Sequence, residues 1–358
     1  MSVIASEKDR TAKRFGALFG GSNAYTWGLV VLGIAVAVGF GIVNPRVYIS
    51  ALNLESMALS VPEIAILALA ISVAMTAAGI DLSIVSTANL SALFVAWFSG
   101  IAMARGMNDF LATVVAVAGA LMVGAVCGLI NGLVIARFSV TPILTTLATM
   151  QVYAGIAIVV TRGEALYGTT GILMEVGMGK TLGVPNVFWI FILVSAVVWM
   201  ILNRTKYGVR VTMMGSNEVA SLFSGFRIAD LTMRTYLMTG VLAAIAGIIM
   251  VSRTGAASAS YGGSYLMVAI TIAVLGGANP FGGKRAVMGA AIAAVVLQLI
   301  ASGLNMVGIS PYIYQVVQGV ILVGASVVAF ERRLYAQRKG RNRARREAQE
   351  RKEEAINV

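Results

Sequence analysis

The chain has 358 residues, 58% of them hydrophobic and 12% charged, with a formal net charge of +12 and no histidine. A soluble domain of this size is far more charged and less apolar, so the solvent around most of this chain is read as lipid. The missing histidines and the single Cys127 exclude Ser-His and Cys-His catalysis, histidine metal sites, zinc-holding cysteine clusters and an internal disulfide.

In chain order, residues 1–26 form a basic tail with Lys8, Arg10, Lys13 and Arg14. The apolar run that follows from Trp27 has no A-x-A-like site after it, which reads as a retained span and not a cleaved signal. A membrane-crossing helix needs about 20 apolar residues. Runs that meet this lie near 27–43, 61–78, 84–104, 110–136, 143–160, 187–203, 235–251, 264–279, 286–307 and 312–330. The expected fold is therefore all-α and integral to the membrane, with about ten transmembrane helices filling a domain from 27 to 330. Only Gly79-Ile80-Asp81-Leu82-Ser83 separates the second run from the third, which predicts a broken or re-entrant helix there. The eighth run is short and ends in glycines.

Ten spans place both termini on one side. With the N-terminus cytoplasmic, twenty-two Lys and Arg fall in inner segments and five in outer ones, namely Arg46, Arg105, Arg162, Lys180 and Arg253. The positive-inside rule predicts that bias. The longest internal loop, 204–234, is then cytoplasmic. Its stretch from Ser216 to Phe226 predicts a short helix ended by Gly225. The tail 331–358 carries ten of the basic residues with five Glu. Arg343, Glu347 and Arg351 at i,i+4 spacing there favour a solvated helix. Basic charge beside apolar spans points to anionic lipid and not to nucleic acid.

Two segments imitate a phosphate loop and fail. Gly179-Lys180-Thr181 would need its earlier glycine at Met174, and Gly283-Lys284 would need one at Ala278, with Arg285 in place of Ser or Thr. The chain is expected to be no enzyme and to bind no nucleotide, cofactor or metal.

Polar residues inside the spans are the candidate site. Asp81, followed by Ser83, reads either as a cap for free backbone N–H groups or as a gating or substrate residue. Ser86 and Asn89 stand at i,i+3. Thr145, Thr149 and Tyr153 share one helix face. Gln298 and Asn305 lie on the ninth run, and Gln315 and Gln318 near Tyr314 on the tenth. Hydroxyls and amides suit an uncharged polyhydroxylated solute. The same groups also serve as ordinary interhelical hydrogen bonds. Gly124, Gly128 and Gly132 recur every four residues on the fourth run, a small face for close helix packing.

Several blocks, in order, resemble the permeases of carbohydrate-type ABC importers, the ribose/xylose/galactose branch. Ala78-Gly79-Ile80-Asp81-Leu82-Ser83 resembles its G-I-D-L-S signature. Asn131-Gly132-Leu133-Val134-Ile135-Ala136, Pro142 and Thr145-Thr146-Leu147-Ala148-Thr149-Met150 are similar to its next block. Leu275-Gly276-Gly277-Ala278-Asn279-Pro280-Phe281-Gly282-Gly283, Gly303-Leu304-Asn305 and Gly308-Ile309-Ser310-Pro311 match its later ones. The resemblance implies two permease chains, as a homodimer or with a paralogue, an ATP-hydrolysing ABC subunit on the cytoplasmic face, and a periplasmic solute-binding protein, all at a bacterial inner membrane. It also implies that Gly208, Gly215, Asn217, Glu218, Ala220 and Gly225 form the segment that couples to the ATPase. A branched-chain amino acid permease and an ion-coupled secondary transporter are the alternatives. The chain departs from the family pattern at Ala220-Ser221-Leu222-Phe223-Ser224-Gly225-Phe226, which lacks the usual Arg. It departs again at Leu266 and Val268, where acidic residues are common.

Overall fold

The computed structural model describes residues 22–310, 312–324 and 327. The tails 1–21 and 331–358, with the predicted Arg343/Glu347/Arg351 helix, lie outside the described residues, as does Pro311.

Eight helices among the described residues are long and apolar enough to cross a membrane. They are α1 (Ser22–Val43), α3 (Ala51–Thr76), α4 (Ile84–Ala104), α5 (Asp109–Phe138), α6 (Pro142–Thr161), α8 (Asn186–Arg204), α11 (Ile228–Thr254) and α13 (Val287–Met306). The eighth and tenth runs form shorter apolar helices, α12 (Tyr265–Leu275) and α14 (Tyr312–Gly324). Between these lie four short helices: α2 (Pro45–Tyr48), α7 (Gly171–Met178), α9 (Lys206–Ser216) and α10 (Glu218–Phe223). Two-residue strands complete the set. β1 (Leu166–Tyr167) pairs antiparallel with β4 (Ala256–Ala257), and β2 (Lys180–Thr181) with β3 (Val184–Pro185).

Helices α3 and α11 are the hub. From Ala65 to Ile71 every side chain of α3 is fully buried. A helix that is apolar all round must be enclosed by other helices or by lipid, and alanine-rich α3 is enclosed. Helices α1, α5 and α6 instead keep large apolar side chains such as Val31, Met122 and Val159 exposed, as a lipid-facing or partner-facing rim requires. α3 starts at Ala51, ten residues before the sequence placed the second span. Ser50 caps it by accepting from the Asn53 N–H at 3.3 Å.

The glycine face of α5 packs on α11. A Cβ at Gly124 would run into the carbonyl oxygen of Gly240, and one at Gly128 into that of Tyr236. Gly128→Leu is expected to destabilise the chain by roughly 1–3 kcal/mol through overpacking. Its thermal midpoint in detergent should fall, and an unchanged midpoint would refute the contact.

The loops sort onto two faces. On one, Asp109 at the start of α5 accepts from the N–H groups of Gly171 and Ile172 at 2.9 and 2.8 Å, a carboxylate at the N-terminus of α7. Lys180 there pairs with Glu55 at 2.7 Å. On the other, basic face, residues 76–83, 202–227 and 276–285 meet.

Candidate functional site

The basic face is built around the interruption between α3 and α4. After Thr76 the chain turns through Ala78 with φ of 59°, a left-handed conformation unusual for alanine. Gly79 follows where no side chain fits, since a Cβ there would run into the Tyr236 hydroxyl and stand 3.3 Å from Pro142. The Ile80 carbonyl accepts from Thr146 at 3.1 Å. Asp81, 1% exposed, uses both carboxylate oxygens. Oδ1 accepts from the Ser83 N–H at 3.0 Å and the Ser83 hydroxyl at 2.7 Å, and Oδ2 accepts from Thr239 of α11 at 2.6 Å. Asn131 of α5 donates to the Ser83 hydroxyl at 2.8 Å, and Tyr153 of α6 donates to the Cys127 carbonyl at 2.9 Å. The break is thus fastened to three helices by side chains that nearly all come from the recognised blocks.

The glycine-rich turn 275–283 locks onto the same place. Gly277, Gly282 and Gly283 have positive φ. The Gly283 N–H donates to the Thr76 carbonyl at 3.2 Å, and the Thr76 hydroxyl donates to that of Lys284 at 3.3 Å. Gly215, inside α9, faces this junction with no room for a Cβ between itself, the Thr76 carbonyl and the Gly283 N–H. Arg285 donates to the Leu202 carbonyl at 3.1 Å, satisfying the end of α8.

The loop 204–234 contains the predicted short helix as α10, Glu218–Phe223, preceded by a second helix, α9, that the sequence reading did not place. α9 and α10 are joined at Asn217, whose side chain caps α10 by accepting from the Ala220 N–H at 2.9 Å. Glu218 occupies the first turn of α10, where a carboxylate suits the helix dipole. Gly208 sits against the Leu202 carbonyl, and Gly225 ends the segment at φ of 77°. Val219, Leu222 and Phe223 of α10 are exposed, Phe223 by 87%. A cleft of about 610 Å³ opens between α10, the break and the 139–142 loop.

The ten candidate path residues do not form one cluster. Asp81, Asn89, Thr145 and Tyr153 are buried within the chain, as is Ser86. Asn89 donates to the carbonyls of Ala259 and Tyr261 at 2.9 and 3.0 Å. Thr149 is half-buried and bonds within α6 at 3.4 Å. Gln298 borders a small pocket that also contains Tyr314, while Gln318 is buried. Asn305 and Gln315 are exposed. Gly179-Lys180-Thr181 forms a two-residue hairpin with Val184–Pro185, and the next helix starts only at Asn186, unlike a phosphate loop.

One site went unread in the sequence. Glu63, 1% exposed in the middle of α3, accepts from Arg253 at 2.6 Å. The hydroxyls of Tyr261 and Tyr265 approach its other oxygen at 3.5 Å. With the span drawn from 61, Glu63 passed for an end residue; its place inside an apolar helix was the available signal. Thr239 was likewise missed.

This fold, and the interrupted helix held at one face against an exposed amphipathic loop, define a multi-pass membrane permease. The chain belongs to the branched-chain amino acid transport system / permease component family, whose model matches residues 53–326. It is similar to the autoinducer 2 import system permease protein LsrD of Escherichia coli O157:H7, 33% identical over 85% of this chain and 93% of that protein. The protein of the same name from Salmonella paratyphi A is 31% identical over 85% of this chain and 92% of its own length. No solved structure matches.

Proposed function

We propose that this chain is the membrane-spanning subunit of an ATP-driven importer for a small, uncharged, polyhydroxylated solute such as a sugar or polyol. The observation that carries the reading is the convergence of the break, the 275–283 turn and α9–α10 on one basic face, ending in the bare apolar side chains of α10. An exposed Val219, Leu222 and Phe223 on a short helix in a basic loop is a docking element for a partner. A separate ATPase subunit fits that role and would bind the ATP, since neither phosphate-loop imitation in this chain is usable. Rigid-body motion of that subunit would pass through Gly215 to the break.

The charge bias supports a cytoplasmic position for this face and both termini, at a bacterial inner membrane. Solute would arrive on the opposite face from a periplasmic binding protein. The exposed rim of α6 suits pairing with a second permease, a copy or a paralogue, and the basic tail suits anionic lipid headgroups. The residues Asp81, Ser86, Asn89, Thr145, Thr149, Tyr153, Gln298, Asn305, Gln315 and Gln318 are assigned in two groups. The buried and half-buried ones belong to the helix packing, and the exposed amides of Asn305 and Gln315 remain available to solute. The family description mentions branched-chain amino acids and the two relatives are named for autoinducer 2 import, so family membership alone does not fix the solute.

The test is uptake into liposomes by the chain reconstituted with its ATPase and binding protein. Sugars, polyols, branched-chain amino acids and autoinducer 2 are offered in turn. Uptake of an uncharged polyhydroxylated solute that requires ATP hydrolysis is expected. Uptake driven by an ion gradient without the ATPase would make the chain a secondary transporter instead.

A further inference from the structure

Between α11 and α12 the chain does not stay at the membrane surface. α12 has 11 residues, about 16 Å at 1.5 Å per residue, roughly half the hydrocarbon thickness. The connection 255–264 must therefore descend to reach its start. The side chains that hold it agree. Asn89, which binds the carbonyls of Ala259 and Tyr261, lies only five residues, about 7.5 Å, above the first residue of α4. Glu63, which receives the hydroxyls of Tyr261 and Tyr265, stands midway along α3. The Glu63–Arg253 pair fixes the upper end of the descent, at the last turn of α11.

This re-entrant strap reads Gly-Ala-Ala-Ser-Ala-Ser-Tyr-Gly-Gly-Ser, and Ser260, Gly263 and Ser264 are exposed on it. Irregular backbone is not left facing lipid tails, because its N–H and C=O groups would go unsatisfied there. In the assembled transporter the strap must face protein or water. Its exposed side chains are hydroxyls and glycines, a surface suited to water and to hydroxylated solutes, while a helix-packing face of this chain such as that of α5 is made of glycine against backbone. Its one nearby carboxylate is already paired with Arg253 and buried, so the strap presents no free charge among the described residues.

We propose that the strap 255–264 lines the solute path at mid-membrane depth. Ser260 and Ser264 are its solute-facing groups, and Glu63 and Arg253 position it. The preferred solute is uncharged and hydroxyl-rich. This rests on the permease reading above and gives that path a location.

The test uses cysteine accessibility, which needs no knowledge of the solute. The only native cysteine, Cys127, is buried and can be replaced by alanine. Ser260→Cys and Ser264→Cys variants of the full transporter in nanodiscs are treated with a small, charged, water-soluble methanethiosulfonate, and modification is mapped by mass spectrometry. Leu182→Cys, on an 89% exposed position of the face that carries Lys180, is the positive control. Both strap cysteines are expected to react, with rates that change at least about tenfold between nucleotide-free and nucleotide-trapped states. If Leu182→Cys reacts and neither strap cysteine does in any state, the strap is covered by protein and the proposal is overturned. Equal rates in all states would also overturn it, by making the strap a static surface. Wild-type uptake is measured in parallel: loss of ATP dependence there would refute the importer reading while leaving the accessibility result standing.

Discussion

Phe223→Asp is expected to reduce ATP-driven uptake at least about tenfold while leaving the thermal midpoint of the isolated chain unchanged. The side chain is 87% exposed, so its removal leaves no cavity in the bundle. An exposed aromatic on a docking helix is the kind of group whose loss costs about 2 kcal/mol or more of interface free energy. That corresponds to roughly a thirtyfold weaker partner contact. A carboxylate adds a desolvation penalty. ATPase activity of the partner should persist but no longer respond to the binding protein. Glu218→Arg, which places a cation at the N-terminus of α10, should uncouple in the same direction more weakly. Full transport by Phe223→Asp would remove α10 as the docking element.

Asp81→Ala and Asp81→Asn are expected to part company. Alanine strips the acceptor from the buried Ser83 N–H and hydroxyl, and two orphaned donors cost roughly 2–4 kcal/mol. Thr239 is less affected because its hydroxyl also reaches the Tyr236 carbonyl at 2.9 Å. Asparagine keeps an oxygen for Ser83 and can donate its amide to the Thr239 oxygen. The reading of Asp81 as a tie between the break and α11 therefore predicts a large loss of midpoint and uptake for Asp81→Ala and near-wild-type behaviour for Asp81→Asn. An Asp81→Asn protein that folds normally but does not transport would make the charge itself the working element.

What the sequence could express was whatever depends on one segment at a time. Composition set the solvent, run lengths set most of the spans, and the glycine spacing of Gly124, Gly128 and Gly132 announced a close helix crossing. The break at 79–83 was visible because glycine and a carboxylate interrupt an apolar run. Partnerships across the bundle were not visible. Nothing in the i,i+4 spacing of Thr145, Thr149 and Tyr153 says whether that face meets a path or the neighbouring α5. Buried Asn89 looked like a path residue, yet its amide N–H groups are spent on the backbone of a distant strap. Glu63 was hidden by an error of ten residues in the start of α3, a boundary that apolar content cannot define when the flanking residues are also apolar.

The junction of Gly215, Thr76 and Gly283 has a consequence for how such chains can be recombined. Gly215 is small because of backbone atoms of Thr76 and Gly283, and Gly283 because of Ser216, each contributed by a segment more than 60 residues away in sequence. Transplanting the 208–225 loop alone from a relative, to redirect the chain to another ATPase, would set a foreign surface against an unchanged socket. A working chimera must carry 76–83, 208–225 and 275–283 together, as a single inherited module scattered over three exchanges.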